Sequence, residues 1–374
     1  MKIGVLTEII NGHSGARAPL EIAAQLSRLG HDITVYAYDF WRDESMCTFL
    51  QKRKVQLVTL PKPKWGKYFV IPKLYRELKI DNPQVLYFSG TPPFFIAAWL
   101  TGTPIVRMYQ GTQFDAYLEY FLPEQPFSLY TKLINFAANI FIYLIDLMSF
   151  RLSTGVVAIS RYAAEEGESL YHRKVHQVIY HGISQLKSSR IKHQKNKVVH
   201  ILSVSRITPY KGFHLIIKAL KQMKTHSNFI LTIAGSQQKS HYVTYLQKLA
   251  GGWLKIVSDP SDNVLAQLYE KSDIYATADR YLYFGLPVGE AARFGKPAVS
   301  LNYAAATEVI KHGQTGYIAQ NAEELVKYLE MLTRDSKLRK RMGELARRWV
   351  KQFTWEQAGR AWEKILLTYA HSKP

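Results

Sequence analysis

The feature that most constrains this fold is a repeated alternation of short apolar segments with amphipathic ones. In the first half of the chain, segments typical of buried strands occupy residues 3–7, 33–38, 55–60, 85–88, 105–108 and 156–159. Helical periodicity lies between them, as in residues 20–29 (LEIAAQLSRL) and 94–100. Short apolar strands that alternate with helices predict a parallel sheet covered on both faces.

The pattern restarts after a polar segment, residues 187–197 (KSSRIKHQKNK), which contains five Lys and Arg and no acid. Strand-like segments then occupy residues 198–204, 230–233, 256–257, 274–276 and 298–301. A chain of 374 residues also exceeds the size that one hydrophobic core usually organises. We therefore predict an α/β protein with two doubly wound, Rossmann-like domains, residues 1–187 and 198–354, which face each other across a cleft. Such folds bind ligands at the carboxyl ends of their strands.

Composition and cysteine content indicate a globular protein of a reducing compartment. Apolar residues make up 47% and charged residues 21% of the chain, and Cys47 is its single cysteine. The first residues run directly into a strand pattern, so we expect a cytoplasmic protein. The apolar segment 134–150 is interrupted by Asn135, Asn139 and Asp146, whereas spanning a bilayer takes roughly 20 mostly apolar residues. We interpret it as a buried helix, with a membrane-contacting helix as the alternative.

The formal net charge of +20 favours an anionic partner. Residues 1–190 hold 21 Lys and Arg against 15 Asp and Glu, and residues 191–374 hold 28 against 14. A nucleic-acid partner is not expected, because no helix-turn-helix, zinc-finger or aromatic RNA-binding signature is present. Nucleotide diphosphates and an acidic membrane surface remain as candidates.

A basic window in the first half is the second place where charge concentrates. Residues 52–79 contain nine Lys and Arg and a single acid. Inside it, Lys64, Trp65 and Lys67 combine cations with an aromatic ring, a combination that suits anionic headgroups and the membrane interface. These residues predict contact with a membrane or with the acceptor, and a peripheral position on the cytoplasmic face of the membrane. A solvated basic loop with aromatics packed on the core is the alternative.

Loop residues of the second half point to an anionic ligand. Arg206 and Lys211 follow the strand at residues 198–204 and place two cations at the carboxyl edge of the sheet. Pro287 precedes a predicted helix at residues 288–294, whose free N–H groups form an anion site. Glu290, one turn inside, is placed to accept from ribose hydroxyls. The loop at residues 11–16 lacks the dinucleotide fingerprint, so nicotinamide and flavin cofactors are not predicted.

These segments resemble a known enzyme family. ILSVSRITPYKGFHLIIKAL and FGLPVGEAARFGKPAVSLNYAAATEVIKHGQTGYI are similar to the retaining glycosyltransferases of family 4, which have the GT-B fold. The likeness is close over residues 198–330 and looser elsewhere, where GHSGARAPLEIAAQLSRLGHDITVYA and VVAISRYAAE support it. The resemblance also implies that the last helix, residues 355–371, crosses back to the first domain.

The resemblance implies roles for individual positions. Arg206 and Lys211 would hold the donor diphosphate, and Glu290 would bind the nucleotide ribose as the second glutamate of a Glu-x7-Glu motif. The remaining implied donor contacts are Gly15 in the first domain and Gly285 and Leu286 between the two glutamate positions. For Glu308 two interpretations stay open, a donor contact and a role at a helix start.

The sequence also departs from the family pattern. Leu282 replaces the first glutamate of the motif, and Gln110 replaces a histidine that in the family lies near the sugar. Ala304-Ala305 replaces a pair of glycines. Because of these changes, the donor sugar cannot be inferred from the family pattern. They also leave a non-catalytic nucleotide- or sugar-binding GT-B protein as the alternative function, with a sugar-nucleotide epimerase as a minor one.

The predicted function is therefore sugar transfer from a nucleotide-diphosphate sugar, UDP- or GDP-linked, to a glycan or lipid-linked acceptor. Breaking a glycosyl–phosphate bond develops negative charge on the leaving diphosphate, which fixed cations stabilise. Arg206, Lys211 and Glu290 are the predicted catalytic residues. The chain contains no Asp-x-Asp signature. We expect a metal-independent hexosyltransferase that retains configuration and uses no cofactor.

Overall fold

The computed structural model describes residues 1–12, 14–39, 42–61, 67–112, 129–184, 186, 198–224, 228–236 and 240–371. The chain forms two compact units, Met1–Gly182 with Phe353–Pro374, and Ile183–Gln352. The basic segment 187–197 and the predicted membrane or acceptor residues Lys64 and Trp65 lie outside the described residues. Lys67 begins a 3-10 helix, and its side chain is also outside them.

The first unit is built on a parallel sheet in the order β3-β2-β1-β4-β5-β6-β7. Its central strand pairs on both sides, with Val5 opposite Val35 and Tyr87. The five inner strands are almost entirely buried, which explains why they are continuous apolar runs in the sequence. Their bounds are β1 (Lys2–Thr7), β2 (Asp32–Tyr38), β3 (Gln56–Leu60), β4 (Val85–Ser89), β5 (Ile105–Tyr109), β6 (Gly155–Ala158) and β7 (Gln177–Val178).

Helices connect these strands in the manner of a doubly wound fold. Most begin with a polar cap or a proline; for example, the Asp43 carboxylate accepts from the backbone N–H groups of Ser45 and Met46. The helices are α1 (Ser14–Arg28), α2 (Glu44–Gln51), α3 (Ile71–Asp81), α4 (Pro92–Leu100), α5 (Leu129–Leu152) and α6 (Arg161–Tyr171), with a 3-10 helix at Lys67–Val70.

The second unit repeats the plan with the sheet order β10-β9-β8-β11-β12-β13. Its strands are β8 (Val199–Val204), β9 (Phe229–Gly235), β10 (Leu254–Ser258), β11 (Ile274–Thr277), β12 (Ala298–Leu301) and β13 (Gly316–Ala319). Its helices are α7 (Phe213–Gln222), α8 (Ser240–Ala250), α9 (Asp262–Lys271), α10 (Leu286–Arg293), α11 (Ala306–Val309), α12 (Ala322–Arg334) and α13 (Ser336–Trp349). A buried core of aliphatic residues such as Ile216 and Leu329 joins the sheet to its helices.

The final helix, α14 (Trp355–Ala370), packs within the first unit. The buried Trp362 ring lies 4.5 Å from the ring of Tyr87, centroid to centroid. Gly359 faces Gln25 of α1 so closely that a side chain at position 359 would clash. The chain therefore returns to the first unit after completing the second.

Helix α5 is longer and more exposed than the sequence predicted. We expected a buried helix over residues 134–150, but Phe136, Phe141 and Met148 expose about half of their surface, at 55%, 52% and 53%. The prediction was wrong because Asp146, which interrupts the apolar run, faces inward to Arg107 and leaves apolar residues on the outer side of the helix. Among the described residues, no helix has the length and the apolar run needed to cross a membrane.

The predicted fold class, two Rossmann-like doubly wound domains, is confirmed. The predicted strands agree with the structure to within about two residues. Strands β7 and β13 were not predicted, because β7 has two residues and β13 four. Both lie at the edge of a sheet, where strands are less buried and their sequences are less continuously apolar.

A buried histidine ties the end of the first unit's sheet to α14. His181 is 3% exposed, and its ring lies 5.7 Å from the Trp355 ring, centroid to centroid. Burial lowers the pKa of His181 to about 3, so the ring is neutral in the folded chain.

We predict that acid destabilises the protein through His181. Because its folded pKa lies below the unfolded value of about 6.5, the unfolded chain binds the proton more tightly, and stability falls as pH drops from 6.5 towards 3. The share due to His181 is about 2 kcal/mol between pH 6.5 and pH 5. Urea unfolding against pH should show a smaller slope for His181→Gln, whereas His371→Gln, at an exposed site, should retain the wild-type slope. An equal slope in all three proteins would contradict the assignment.

Candidate active site

The strand order of the second sheet reverses between β8 and β11, and ligands of such folds bind at this switch point. The loops that follow β8, β11 and β12 leave from the carboxyl edges of three neighbouring strands. Arg206 and Lys211 lie in the first of these loops, Gly285 and Leu286 at the end of the second, and Glu308 at the end of the third. The sheet order thus brings together predicted residues that are about 100 positions apart.

The two predicted cations lie beside one aromatic ring. The guanidinium carbon of Arg206 lies 5.8 Å from the centroid of the Tyr210 ring, and Nζ of Lys211 lies 5.3 Å from it. Arg206 is exposed, whereas the Lys211 side chain is only 11% exposed. The first loop therefore presents one solvated and one largely buried positive charge.

Lys211 is paired with an acid that sequence analysis did not identify. Its Nζ donates to Oδ2 of Asp279 at 2.6 Å, and the Asp279 side chain is also 11% exposed. The other carboxylate oxygen, Oδ1, accepts from the backbone N–H of Tyr281 at 3.0 Å. The available sequence signal was the position of Asp279 two residues after β11, at the carboxyl edge. An ammonium has three N–H donors, so this contact leaves donors for a ligand.

Glycine 212 allows the first two loops to touch. Its φ of 69° is left-handed, and a Cβ at this position would clash with the carbonyl oxygen of Ala278. Nearby, the backbone N–H of Arg280 donates to the carbonyl of Tyr210 at 3.3 Å. Lys211 and Asp279 can meet because this backbone contact is so close.

Helix α10 begins at Leu286, two residues earlier than predicted, with Gly285 as its cap at a φ of 76°. Its first turn supplies N–H groups and a partial positive charge at the switch point. Leu282, at the position of the missing glutamate, is 4% exposed, and a Cβ on Gly285 would lie 3.1 Å from its Cδ2. Leu282 is therefore a packing residue beneath the start of α10.

Glu290 is held by a buried tyrosine that sequence analysis also missed. The hydroxyl of Tyr269 in α9 donates to Oε2 of Glu290 at 2.8 Å. The Tyr269 ring is fully buried and stacks on Phe294, with 5.6 Å between centroids. Burial and the nearby Glu290 charge raise the pKa of Tyr269 well above its usual value, so the hydroxyl keeps its proton and donates. In the sequence, Tyr269 shows only as an apolar position of an amphipathic helix.

The third loop carries the alanine pair and Glu308. Ala304 has a φ of 47°, a left-handed conformation that suits glycine better than alanine. The backbone N–H of Ala305 donates to the carbonyl of Leu282 at 3.1 Å, which ties the third loop to the second. Glu308 lies half-buried in the short helix α11, and its N–H donates to the carbonyl of Ala305. It lies at the same edge as the other residues, within a helix start.

In the first unit, Gly15 and Gln110 lie together. A Cβ on Gly15 would approach Oε1 of Gln110 to 2.9 Å. The Gln110 amide donates to Oγ of Ser89, the last residue of β4, at 2.9 Å. Glu166 fixes the neighbouring backbone, because its Oε2 accepts from the Thr112 N–H at 3.0 Å. Ser89 and Glu166 were not predicted as members of this group.

Family models match both halves of the chain. Residues 15–185 match the model for Glycosyltransferase Family 4, and residues 185–349 match that for Glycosyl transferases group 1. The chain is a glycosyltransferase of the group 1 and family 4 type.

Curated relatives and solved structures agree with this assignment. The glycosyltransferase is 23% identical over 325 residues to CapM of Staphylococcus aureus, a capsular polysaccharide biosynthesis glycosyltransferase, covering 76% of this chain and 80% of CapM. It is 28% identical over 185 residues to an uncharacterised glycosyltransferase of Haemophilus influenzae, covering 48% of this chain and about half (52%) of that relative's length. HepE of Anabaena, solved with UDP and glucose, superposes with a TM-score of 0.76 at 18% identity, covering 98% of this chain and 100% of HepE. The GT-B fold is thereby confirmed.

We predict that the glycosyltransferase becomes more stable when Ala304 is replaced by glycine. Left-handed φ costs alanine about 1 kcal/mol, which exceeds the backbone entropy that glycine adds to the unfolded chain. Ala304→Gly should increase the free energy of unfolding by up to about 1 kcal/mol, which would raise Tm slightly. Ala306→Gly, at a helical position nearby, should lower it by a similar amount. Calorimetry on both variants tests this, and a lower Tm for Ala304→Gly would contradict it.

Proposed function

We propose that this glycosyltransferase moves a hexosyl group from a UDP- or GDP-linked sugar to a glycan or a lipid-linked acceptor, with retention of configuration. The observation that carries the proposal is that Arg206 and Lys211 follow β8, and the start of α10 follows the neighbouring strand β11, at the switch point of the second sheet. HepE, with its bound UDP and glucose, supports a nucleotide-sugar donor. CapM, a glycosyltransferase of capsular polysaccharide synthesis, supports a glycan product.

The chemistry needs positive charge at the leaving group. As the bond from the anomeric carbon to the diphosphate oxygen breaks, the diphosphate gains negative charge and the sugar gains oxocarbenium character. Hydrogen bonds to ionised groups contribute roughly 1.5–3 kcal/mol each, and about 3 kcal/mol changes a rate by roughly two orders of magnitude. Arg206, Lys211 and the first N–H groups of α10 are the groups proposed to supply this stabilisation.

Retention follows if the acceptor attacks from the face that the diphosphate leaves. The acceptor hydroxyl then forms the new bond to the anomeric carbon and passes its proton to the departing diphosphate oxygen. Since side-chain cations supply the charge in this scheme, we propose that the reaction needs no metal ion or other cofactor. Leu282 offers no polar group, so the backbone at Gly285 and Leu286, with Glu308, is proposed to contact the donor sugar and phosphates.

The remaining predicted residues enter the proposal as follows. Glu290 accepts hydrogen bonds from the ribose hydroxyls, and Gly15 gives the donor room beside Gln110, a proposed sugar contact. Lys64, Trp65 and Lys67 are proposed to meet an anionic membrane or the acceptor. The buried free thiol of Cys47 suits the proposed cytoplasmic location, on the inner face of the membrane.

Removing the guanidinium should slow transfer with little change in stability. We predict that Arg206→Gln lowers kcat/KM by roughly two orders of magnitude in a panel of UDP- and GDP-sugars. Arg341→Gln removes an exposed charge from α13 and serves as the matched control. Chelation with EDTA should leave the rate unchanged, and NMR of the product should show the donor's anomeric configuration. A chelator-sensitive rate or an inverted product would overturn the mechanism.

A non-catalytic sugar- or nucleotide-binding protein is the alternative, favoured by the buried Leu282. In that case the protein should bind UDP or GDP, and Arg206→Gln should weaken this binding. Neither sugar transfer nor donor hydrolysis should occur with any of the nucleotide sugars. Calorimetry and product analysis on the same samples separate the two functions.

The hydroxyl of Tyr269 should act through Glu290. Tyr269→Phe keeps the ring stacked on Phe294 but removes the hydrogen bond to the Glu290 carboxylate, so we predict an increase of about fivefold to tenfold in donor KM, with kcat nearly unchanged. The preference for UDP over 2′-deoxy-UDP should shrink in the same variant, which a loss of general stability would not cause. An unchanged preference would show that Tyr269 does not position Glu290.

A further inference from the structure

Helix α5 is fixed to the first unit by its polar side. Within the buried part of the unit, Nη2 of Arg107 on β5 donates to Oδ1 of Asp146 at 2.7 Å, and Nη1 contacts Ser149. One turn earlier, the Tyr143 hydroxyl donates to the Leu170 carbonyl at 3.1 Å, and its ring stacks on Tyr171. These contacts set which side of α5 faces inward.

The opposite side of α5 is apolar and exposed. Its residues recur every four positions, an interval that keeps them on one side of a helix, and each exposes between 42% and 55% of its surface. We call them the α5 outer face: Phe136, Ile140, Leu144, Met148 and Leu152. Surface helices ordinarily turn this kind of side chain inward and their polar groups outward, so α5 has the reverse arrangement. A contiguous exposed apolar surface of this kind indicates an interaction site.

Aromatic groups adjoin this surface, and basic groups lie two helices away. The Tyr68 ring lies 6.4 Å from the Phe141 ring, which joins α5 to the 3-10 helix Lys67–Val70, where Phe69 is 67% exposed. Helix α4 contacts both α5 and α3, so the three helices lie side by side. The exposed charges of α3 are all cations, from Lys73, Arg76 and Lys79.

We propose that the α5 outer face docks on an anionic lipid bilayer, with the cations of α3 at the headgroups. Apolar side chains with flanking cations and exposed aromatics are the composition of helices that lie in the membrane interface. A protein partner or a second copy would also cover apolar side chains, but the neighbouring cations favour a negatively charged surface. Because the polar side of α5 is bound to β5 and α6, the helix would lie along the bilayer with only its outer face inserted.

This docking would place the first unit beside a lipid-linked acceptor. In that respect the inference rests on the proposed function, although vesicle binding itself requires neither donor nor acceptor. The two can therefore fail separately. Loss of turnover with intact vesicle binding would count against the transferase, and the reverse result would count against the docking surface.

Flotation of the full chain with vesicles tests the proposal. Vesicles of phosphatidylcholine alone and of phosphatidylcholine with phosphatidylglycerol would be compared at low and high salt. We expect binding to the anionic vesicles, weakened by salt. Replacing Leu144 and Met148 by glutamine should weaken that binding by about tenfold or more, because both half-exposed side chains lose apolar surface that the bilayer would bury. The matched control replaces Leu367 and Met331, a Leu and a Met exposed on α14 and α12, and should bind like the wild type.

A charge-reversal variant separates the electrostatic contribution of α3 from the apolar contribution of the α5 outer face. Lys73→Glu with Arg76→Glu should abolish the preference for anionic vesicles, and the thermal melt and turnover on a soluble acceptor should show that each variant is folded. Equal binding of the Leu144/Met148 variant and its control would overturn the proposal. So would a failure of the wild type to float. Sedimentation velocity would show whether the α5 outer face instead joins two copies, which would also overturn it.

Discussion

The close approach of two loops at the switch point of the second sheet is the contact on which the proposed donor site depends. Gly212 lies so near the carbonyl of Ala278 that only a residue without Cβ fits, and its left-handed φ adds the same requirement. This approach brings Lys211 to Asp279 and Tyr210 to the backbone of Arg280. The cations are thus positioned by backbone geometry before any ligand arrives, which is what electrostatic stabilisation of a transition state needs.

The pair of Lys211 and Asp279 also explains how a largely buried ammonium is tolerated without ligand. Leaving such a charge unpaired costs several kcal/mol by order of magnitude, so an acid that stays in place stabilises the site between turnovers. Arg206 is exposed, and in the proposed function it would meet the anionic donor from solvent. Residues 183–352, the second unit, carry 27 Lys and Arg against 12 Asp and Glu, and this excess would attract the proposed anionic donor.

The parts of the structure that leave a local pattern were predictable from the amino-acid sequence. Buried parallel strands appear as apolar runs, and loop cations and a proline-led helix start are local features, so the strands and the positions of Arg206 and Lys211 at the carboxyl edge were predictable. Asp279 and Tyr269 were not, because their roles come from contacts with residues 68 and 21 positions away. The outward side of α5 was missed because Asp146, which interrupts the apolar run, faces inward to Arg107.

Two of the departures from the family pattern are linked in space. The carbonyl of Leu282 accepts from the N–H of Ala305, and the Leu282 side chain supports Gly285 at the start of α10. Ala304 keeps a left-handed backbone although this costs alanine about 1 kcal/mol, so the surrounding contacts enforce the path of the third loop. In the proposed function, this enforced path holds the third loop at the donor site, where backbone groups would contact the sugar in place of a glutamate side chain.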